Sequence, residues 1–319
     1  MRTSTNTADI GFVVDAGPGL GYGHVVRCVR LASALSRRHE VLFYPLSVPC
    51  REFIQSFGFE IVALPNSQKY AGDWSFPPLV ITDLREAHGI TAAIHRNGSR
   101  HISIHDLGLA QCHSDVVIDG SITTLFPYSE NKGQELFLGP QYMITRDAVR
   151  RHEREDTVLV TLGGGSTARS AVSLSDTLSR LGLHVISTEG LFGSTALSDT
   201  EFADAMSRCR FAISGSGVTL YDLLASGVPT IAVAFDLFQL RTAEAFHRMG
   251  AVMCAGLLER LSPAGLVQCC REMLENQFLV QRVTQAGQML VDGKGLSRVV
   301  EIVRRQLWLT SQEKTFTPC

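Results

Sequence analysis

The fold of this chain is decided by residues 10–35, which read IGFVVDAGPGLGYGHVVRCVRLASAL. An apolar run predicts a strand at 10–14, a loop with glycine at every second position follows, and 25–37 has the period of an amphipathic helix. Such a loop exposes backbone N–H groups, toward which the helix directs the positive end of its dipole. His24, at the helix start, can exchange a proton near neutral pH. The stretch therefore predicts an anion site beside a base.

Composition and charge are those of an ordinary globular chain. The 319 residues are 45% hydrophobic and 19% charged, with a formal net charge of -2, and the length predicts about two domains. No long basic run is present, which argues against nucleic acid as the main partner. The start is polar, and no apolar run reaches the roughly 20 residues that span a bilayer. We therefore expect a cytoplasmic protein without membrane insertion, and the oligomeric state is left open.

The eight cysteines are scattered and form no Cys-x-x-Cys pair. Most lie among apolar residues, as Cys254 does, which favours buried, reduced thiols over metal ligands. The sequence therefore predicts no metal site and no resident cofactor.

Short apolar runs alternate with helical patterns along the chain, which is typical of parallel α/β layers. Strands are predicted at residues 10–14, 41–44, 79–82, 101–104, 116–118, 157–162, 184–187, 211–214, 230–234 and 252–254. Helices are predicted at residues 25–37, 51–57, 86–96, 170–181, 218–225, 239–249, 263–275 and 295–308. The charged stretch 146–156 is interpreted as a linker or an exposed helix. These patterns predict an α/β fold of two Rossmann-like domains, 1–150 and 151–319, whose parallel sheets face across a cleft.

The second half carries the strongest phosphate-binding pattern, directly after an apolar strand. Small residues let a backbone approach a phosphate, and a helix N-terminus adds an oriented dipole. Asp222 follows one turn into the helix, where it could accept hydrogen bonds from a ribose. The alternative is a simple helix cap with no ligand. The candidate residues of this pattern are Ser214, Gly215, Ser216, Gly217, Val218 and Thr219.

Gly163, Gly164 and Gly165 form a third glycine loop, after the strand at 157–162. They are candidates for binding the same nucleotide, although a tight turn alone could require glycine. The first loop, by contrast, does not fit a dinucleotide fingerprint. Its glycines miss the Gly-x-Gly-x-x-Gly spacing, and the strand at 41–44 has no acidic residue at its end.

Two carboxylates end strands of the first domain. Asp83 and Asp106, the latter preceded by His105, stand where open α/β sheets bind their ligands. Both are candidates for assisting His24 in catalysis. Each could instead cap the helix that follows it, a reading with most weight for Asp83.

Taken in order, these motifs resemble those of the UDP-sugar hydrolases of pseudaminic acid biosynthesis (the UDP-2,4-diacetamido-2,4,6-trideoxy-β-L-altropyranose hydrolase family). The resemblance extends over most of the chain. The residues that carry it are Gly21-Tyr22-Gly23-His24 with Arg27-Cys28, His105-Asp106, Leu138 to Tyr142 with Arg146, Leu162 to Gly165, and Ser214 to Ile231.

The resemblance implies a GT-B glycosyltransferase-like fold and a UDP-sugar substrate. UDP would be bound mainly by the second domain, and the sugar would face the first glycine loop. The histidine that matches His24 would assist water in attacking the anomeric carbon, which releases UDP. The residues that would contact the substrate are Gly21, Tyr22, Gly23, Arg27, Tyr142 and Gln239.

The chain departs from the family pattern at three positions. Ser166 replaces an acidic residue, Phe238 an asparagine, and Leu84-Arg85 a site where tyrosine is usual. Two alternatives therefore stay open beside hydrolysis. One is an inverting glycosyltransferase that uses a hydroxyl acceptor, and the other is a non-catalytic protein that binds a nucleotide sugar.

Overall fold

The computed structural model describes residues 8–17, 19–62, 75–85, 89–108, 113–128, 133–150, 152, 155–163, 168–180, 182–188 and 197–315, without the side chains of 168–173 and 313–315. Contacts divide the chain into two compact units. The first unit comprises Met1–Ile144 and Gly295–Cys319, and the second unit comprises Thr145–Lys294.

The described residues of the first unit form a parallel sheet. Its strands are β1 (Ile10–Val14), β2 (Val41–Pro45), β3 (Glu60–Ile61), β4 (Leu79–Asp83), β5 (Arg100–His105), β6 (Val116–Asp119) and β7 (Glu135–Leu138). They lie in the order β3-β2-β1-β4-β5-β6-β7. All five residues of β1 are buried, because helices cover both faces of such a sheet. Phe12 of β1 stacks on Phe43 of β2 with ring centroids 5.0 Å apart.

The second unit repeats this plan with five described strands. They are β8 (Thr157–Thr161), β9 (His184–Ser187), β10 (Phe211–Gly215), β11 (Thr230–Ala234) and β12 (Met253–Leu257). Their order is β12-β11-β10-β8-β9, and every pair is parallel. Each unit is therefore an open parallel sheet of the Rossmann type.

Helices connect the strands in both units. In chain order they are α1 (Gly23–Leu35), α2 (Val48–Ser56), α3 (Ile90–Arg96), α4 (Ala168–Arg180), α5 (Asp199–Arg208), α6 (Val218–Ala225), α7 (Leu237–Arg248), α8 (Pro263–Glu275), α9 (Gln277–Leu290) and α10 (Gly295–Thr315). None of the helices in the described part of the chain is long and apolar enough to cross a bilayer.

The last helix, α10, belongs to the first unit and not to the second, unlike the predicted division at 151–319. Its side chains Val299, Val303 and Ile302 are buried in the same core as β1 and α1. Gly295 begins the helix with no room for a side chain, because a Cβ there would lie 1.9 Å from the carbonyl oxygen of Met143. The chain therefore passes through the second unit and returns to complete the first.

The predicted strands are all present, with ends that coincide with the predicted ones or differ from them by at most three residues. The short strands β3 and β7 and the helices α5 and α9 were not predicted. In 146–156 the described residues contain no helix, so the linker interpretation is favoured there. Cys112 and Cys319 lie outside the described residues, and the other six cysteines are free thiols, of which four are buried.

Candidate active site

The strand order of the first unit brings the ends of β1 and β4 together. The chain adds β2 and β3 on one side of β1 and then crosses to β4 on the other side. Open α/β sheets bind ligands at such a switch point, at the carboxyl ends of the strands. Val14, which ends β1, is in register with Asp83, which ends β4. The glycine loop and α1 follow β1 directly, so His24 and Asp83 are brought to the same edge.

The first glycine loop closes on itself through its backbone. Gly21 N donates to the carbonyl of Gly17 at 2.8 Å, and Gly17 N donates back at 3.2 Å. Gly21 has φ +83°, a conformation that favours glycine, and a Cβ there would meet nothing within 4 Å. Tyr22 packs its ring against Phe53, with centroids 5.6 Å apart. The tyrosine thus anchors the loop, and the loop leaves open space in front of the start of α1.

His24, Arg27 and Asp83 form a buried cluster. His24 Nδ1 lies 2.6 Å from Asp83 Oδ1. Arg27 donates to both carboxylate oxygens, from Nε at 2.5 Å and from Nη2 at 2.6 Å. Arg27 and His24 stand on one face of α1 because they are three residues apart. Asp83 therefore does not act as a simple helix cap: its carboxylate joins the two side chains of α1.

The carboxylate fixes the protonation of the cluster. Asp83 is fully buried, which alone would raise its pKa, but Arg27 and His24 lower the pKa to about 2. The carboxylate is therefore ionised and accepts a hydrogen bond from Nδ1–H of His24, so that in the neutral imidazole the lone pair is on Nε2. The contact of 3.2 Å between Arg27 Nη2 and His24 Nδ1 is then not a hydrogen bond, since both nitrogens carry hydrogen. Cys28 donates weakly to Asp83 at 3.7 Å, and burial raises the pKa of its thiol.

Asp106 lies one strand further along the same edge. It follows β5, and its Oδ1 accepts from Ser121 Oγ at 3.3 Å. Its charge contributes to raising the pKa of Arg27, so the two groups interact electrostatically. No hydrogen bond joins Asp106 to His24 among the described residues. Asp83 is thus the carboxylate that orients His24, and Asp106 is a neighbour.

Three polar residues near this edge, two of them buried and Tyr128 half-buried, were not singled out from the sequence as site residues. His105, Asp119 and Tyr128 are linked by hydrogen bonds of 2.9 and 2.7 Å. Asp119 could have been found by the rule that selected Asp83 and Asp106, because it also ends an apolar strand. Tyr128 lies in a loop nine residues after Asp119, and no local pattern marks it as a partner of His105.

The second unit has its own switch point, between β8 and β10. Gly163 follows β8 with φ +95°, while Gly164 and Gly165 lie outside the described residues. Gly215 ends β10 so close to the loop after β8 that a Cβ would lie 2.6 Å from the carbonyl oxygen of Leu162. The two predicted nucleotide loops are therefore adjacent.

The serine hydroxyls of the second loop are bonded to backbone carbonyls, and the role of Ser214 and Ser216 in binding a nucleotide stays a prediction. Ser214 Oγ donates to the carbonyl of Gly215, and Ser216 Oγ to that of Val233, both at 2.8 Å. Exposed Gly217 precedes α6, whose N-terminus has no side-chain cap. Val218 and Thr219 form its first turn. The available donors of this loop are therefore the backbone N–H groups at the start of α6.

Asp222 has partners in the interior of the second unit, and its expected contact with a ribose stays a prediction. Its side chain is buried, and Oδ1 accepts from the backbone N–H of Arg146 at 2.9 Å. The Arg146 guanidinium lies 3.6 Å from Oδ2 and also 4.7 Å over the ring of Phe202. Asp222 thereby holds the segment that enters the second unit.

The two remaining predicted substrate residues have structural partners. Gln239 Oε1 accepts from the backbone N–H groups of Ser216 at 3.3 Å and Phe235 at 3.4 Å, and so ties α7 to the loop before α6. Tyr142 packs edge-on against Phe137, with centroids 5.5 Å apart, in the core beneath α10. Gln239 therefore supports the loop from α7, whereas Tyr142 packs against the core of the first unit.

Within the described residues, no group of three or more His, Cys, Asp or Glu side chains could hold a metal ion.

Two Rossmann-like units with parallel sheets define the GT-B fold. Solved structures of this fold match nearly the whole chain. Acinetobacter baumannii MurG superposes with a TM-score of 0.65 at 14% identity, over 93% of this chain and 99% of MurG. The glycosyltransferase VinC in complex with dTDP gives 0.63 at 16% identity, over 95% and 99% of the two chains.

A curated relative is similar over the same extent. The spore coat polysaccharide biosynthesis protein SpsG of Bacillus subtilis (strain 168) is 23% identical over 331 residues, which cover 92% of this chain and 97% of SpsG. No protein-family model matches the sequence.

Proposed function

We propose that this protein is a nucleotide-sugar hydrolase, which cleaves the anomeric C–O bond of a UDP-linked amino or deoxy sugar to release UDP and free sugar. One observation carries the proposal. A histidine at the start of α1 donates Nδ1–H to a buried carboxylate at 2.6 Å, as in a base oriented for proton transfer. The similarity to SpsG supports a role in carbohydrate biosynthesis.

In the proposed reaction His24 Nε2 takes a proton from water as the water oxygen attacks the anomeric carbon. The imidazolium that forms is stabilised by Asp83, whose charge is held in place by Arg27. A positioned base of this kind contributes about 10²–10⁴-fold. Direct attack of water inverts the configuration at the anomeric carbon.

The leaving group is UDP, whose pyrophosphate charge must be stabilised as the bond breaks. We assign this task to the backbone N–H groups at the start of α6, after Gly217, with help from the loop that begins at Gly163. Oriented donors of this type act without reorganisation in the transition state. The VinC complex with dTDP supports a nucleoside diphosphate as the ligand of this fold.

A glycosyltransferase is the second candidate, and a specific observation favours it as well. The fold matches the glycosyltransferase VinC along nearly its whole length. Apolar side chains are exposed near the ends of strands in each unit: Phe126 in the first, and Leu237 and Phe238 in the second. Exposed apolar side chains are better suited to contact an organic acceptor molecule than a water molecule. In this case His24 would take the proton of an acceptor hydroxyl. A non-catalytic nucleotide-sugar binding protein is the remaining alternative.

The test is the replacement His24→Ala, assayed as UDP release from a panel of UDP-, dTDP- and GDP-linked amino and deoxy sugars. We expect kcat to fall about 10²–10⁴-fold, with UDP affinity unchanged because the assigned UDP-binding loops lie in the second unit. The matched control is His39→Ala, since His39 is half-buried and its Nδ1 lies 3.6 Å from the carboxylate of Asp9.

Product analysis by NMR separates the candidates. Free sugar of inverted configuration supports the hydrolase, and UDP release that requires an added hydroxyl compound supports the transferase. Unchanged turnover in a folded His24→Ala protein would refute the role of His24. Tight binding of a nucleotide sugar without any product would favour the non-catalytic alternative.

A further inference from the structure

A second buried histidine stands beside the candidate active site and has no role in the reaction proposed above. His105 ends β5, and its register partner on β6 is Asp119. Tyr128 joins the two: its Oη lies 2.9 Å from His105 Nδ1 and donates to Asp119 Oδ2 at 2.7 Å. The rings of His105 and Tyr128 also pack together, with centroids 5.5 Å apart.

The hydrogen bonds determine which nitrogen of His105 carries the proton. Asp119 accepts three bonds, from the backbone N–H groups of Gly108 and Ser121 at 2.9 Å each and from Tyr128. Tyr128 has one hydroxyl proton and gives it to Asp119. The phenolic oxygen must then accept from His105, so Nδ1 is protonated and Nε2 has the lone pair.

His105 is also uncharged at neutral pH. Its pKa is lowered to about 4, because burial and the charge of Arg27 lower the pKa by more than the charges of Asp119 and Asp83 raise it. His101, on the same strand, is buried too and has its pKa lowered to about 3, mainly by burial.

The same network holds the end of β5 next to the cluster of His24, Arg27 and Asp83. Ile104, the residue before His105, is in register with Asp83. Leu107 N donates to Ser121 Oγ at 2.8 Å, in a turn where Leu107 has φ +55°, and Ser121 Oγ in turn donates to Asp106. A change at His105 would therefore act on Asp83 by charge and on Asp106 through the turn.

We infer that His105 is a positioning residue for this site: Tyr128 and Asp119 hold its buried imidazole as the Nδ1–H tautomer on the strand next to Asp83. A second cation there would compete with His24 for the charge of Asp83. His24 would then be a weaker base, because Asp83 would stabilise its protonated form less. The kinetic part of this inference rests on the proposed function, and the tautomer does not.

The tautomer is tested by two-bond ¹H–¹⁵N correlation on the full chain labelled at histidine, with the His105 signal assigned by its loss in His105→Asn. We expect a protonated Nδ1 and an unprotonated Nε2 that stay unchanged from about pH 7.5 to about pH 5.5. A proton on Nε2, or a titration near pH 6.5, would overturn the inference. No substrate is needed, so this result does not depend on the proposed reaction.

The kinetic test is Tyr128→Phe, which removes the oxygen that accepts the Nδ1 proton and leaves the imidazole facing Asp119. We expect the pKa of His105 to rise, so that a second cation stands near Asp83 at acid pH. Because His24 is then the weaker base, the acid limb of kcat/KM for UDP release should move down by about one pH unit. Tyr44→Phe is the matched control, since Tyr44 is a buried tyrosine of the same unit whose hydroxyl donates to the carbonyl of Ser75.

The double variant Tyr128→Phe/His105→Asn separates charge from structure. Asparagine keeps a donor near the Nδ1 position but cannot take a proton, so the acid limb should return to its wild-type position. A limb that stays shifted would show that the effect is structural and would refute the positioning role by charge.

Discussion

Asp83 shows how one buried side chain can organise a site. It is fully buried and receives three hydrogen bonds from His24 and Arg27 of α1, besides the weak one from Cys28. A buried carboxylate is costly unless it is paired and hydrogen-bonded. Here the pairing charge comes from Arg27, which leaves the His24 contact to orient an imidazole. The residue that stabilises the cluster is therefore also the one that prepares the proposed base.

Asp83→Asn should lower the free energy of unfolding of the first unit by about 3–5 kcal/mol, because it leaves the Arg27 guanidinium buried without an anion. The measurement is denaturant unfolding at pH 7. Asp9→Asn, at a half-exposed ion pair of the same unit, is the control and should cost at most about 1 kcal/mol. Equal effects of the two substitutions would contradict the importance of the buried pair.

The same pair sets a dependence on pH. The pKa of Asp83 is lowered from 3.8 to about 2 in the folded protein, so its contribution is fully present above pH 4 and is lost as the pH falls toward 2. The size of this contribution is about 2 kcal/mol. Unfolding measured between pH 5 and pH 2 should show that loss in the wild type, and Asp83→Asn should lack it.

At the scale of elements, both candidate loops follow from the order in which strands are added. The strand order reverses between β1 and β4 in the first sheet, and between β8 and β10 in the second. Strand, glycine loop and helix are visible in the sequence, so the loops and His24 could be predicted from it. The partners of Asp222 and of the Ser216 hydroxyl could not, because they are Arg146 and Val233 of β11, which are distant in sequence. Local patterns predict the element on which a side chain lies, but not the residues that the side chain contacts.

Two glycines of the second loop should respond differently to alanine. A Cβ at Gly217 meets nothing within 4 Å, so Gly217→Ala should fold normally but place a methyl group where a phosphate would approach α6. We expect UDP affinity to fall about tenfold, or about 1.4 kcal/mol, with an unchanged Tm. Gly215→Ala should instead lower Tm, because its Cβ would lie 2.6 Å from the carbonyl oxygen of Leu162.

Calorimetric titration with UDP and thermal unfolding measure the two effects. Gly265→Ala is the matched control, since Gly265 lies in the first turn of α8 in the same unit and has no place in the proposed site. Full UDP affinity in Gly217→Ala would argue against phosphate binding at the start of α6.

At the scale of the whole molecule, the two units are not the two halves of the sequence. The first unit obtains its last helix from the end of the chain, where α10 is joined to the sheet by apolar contacts and by polar ones. Gln306 Nε2 donates to Glu135 Oε1 at 2.9 Å, and Arg305 pairs with the other oxygen of that carboxylate. A boundary drawn from the sequence alone misses this return, because the pattern of α10 does not say which sheet its apolar face covers.

Ile302→Ala should test this assignment. Ile302 is buried in the core of the first unit, and its truncation should destabilise that unit by about 2–5 kcal/mol. Hydrogen exchange should show lost protection in β1 and β4 while β8 and β10 keep theirs. Trp308→Ala, at a position 60% exposed on the same helix, should change little, and lost protection in the second unit would contradict the assignment.

The return of α10 also has a consequence for how the protein is made. The second unit is one continuous segment, Thr145–Lys294, so it can finish folding as soon as it leaves the ribosome. The first unit begins to be synthesised earlier, but it lacks a core helix until the residues after Lys294 have been added. Although domains usually fold from the N-terminus onward during translation, in this chain the unit that is started first is the one completed last.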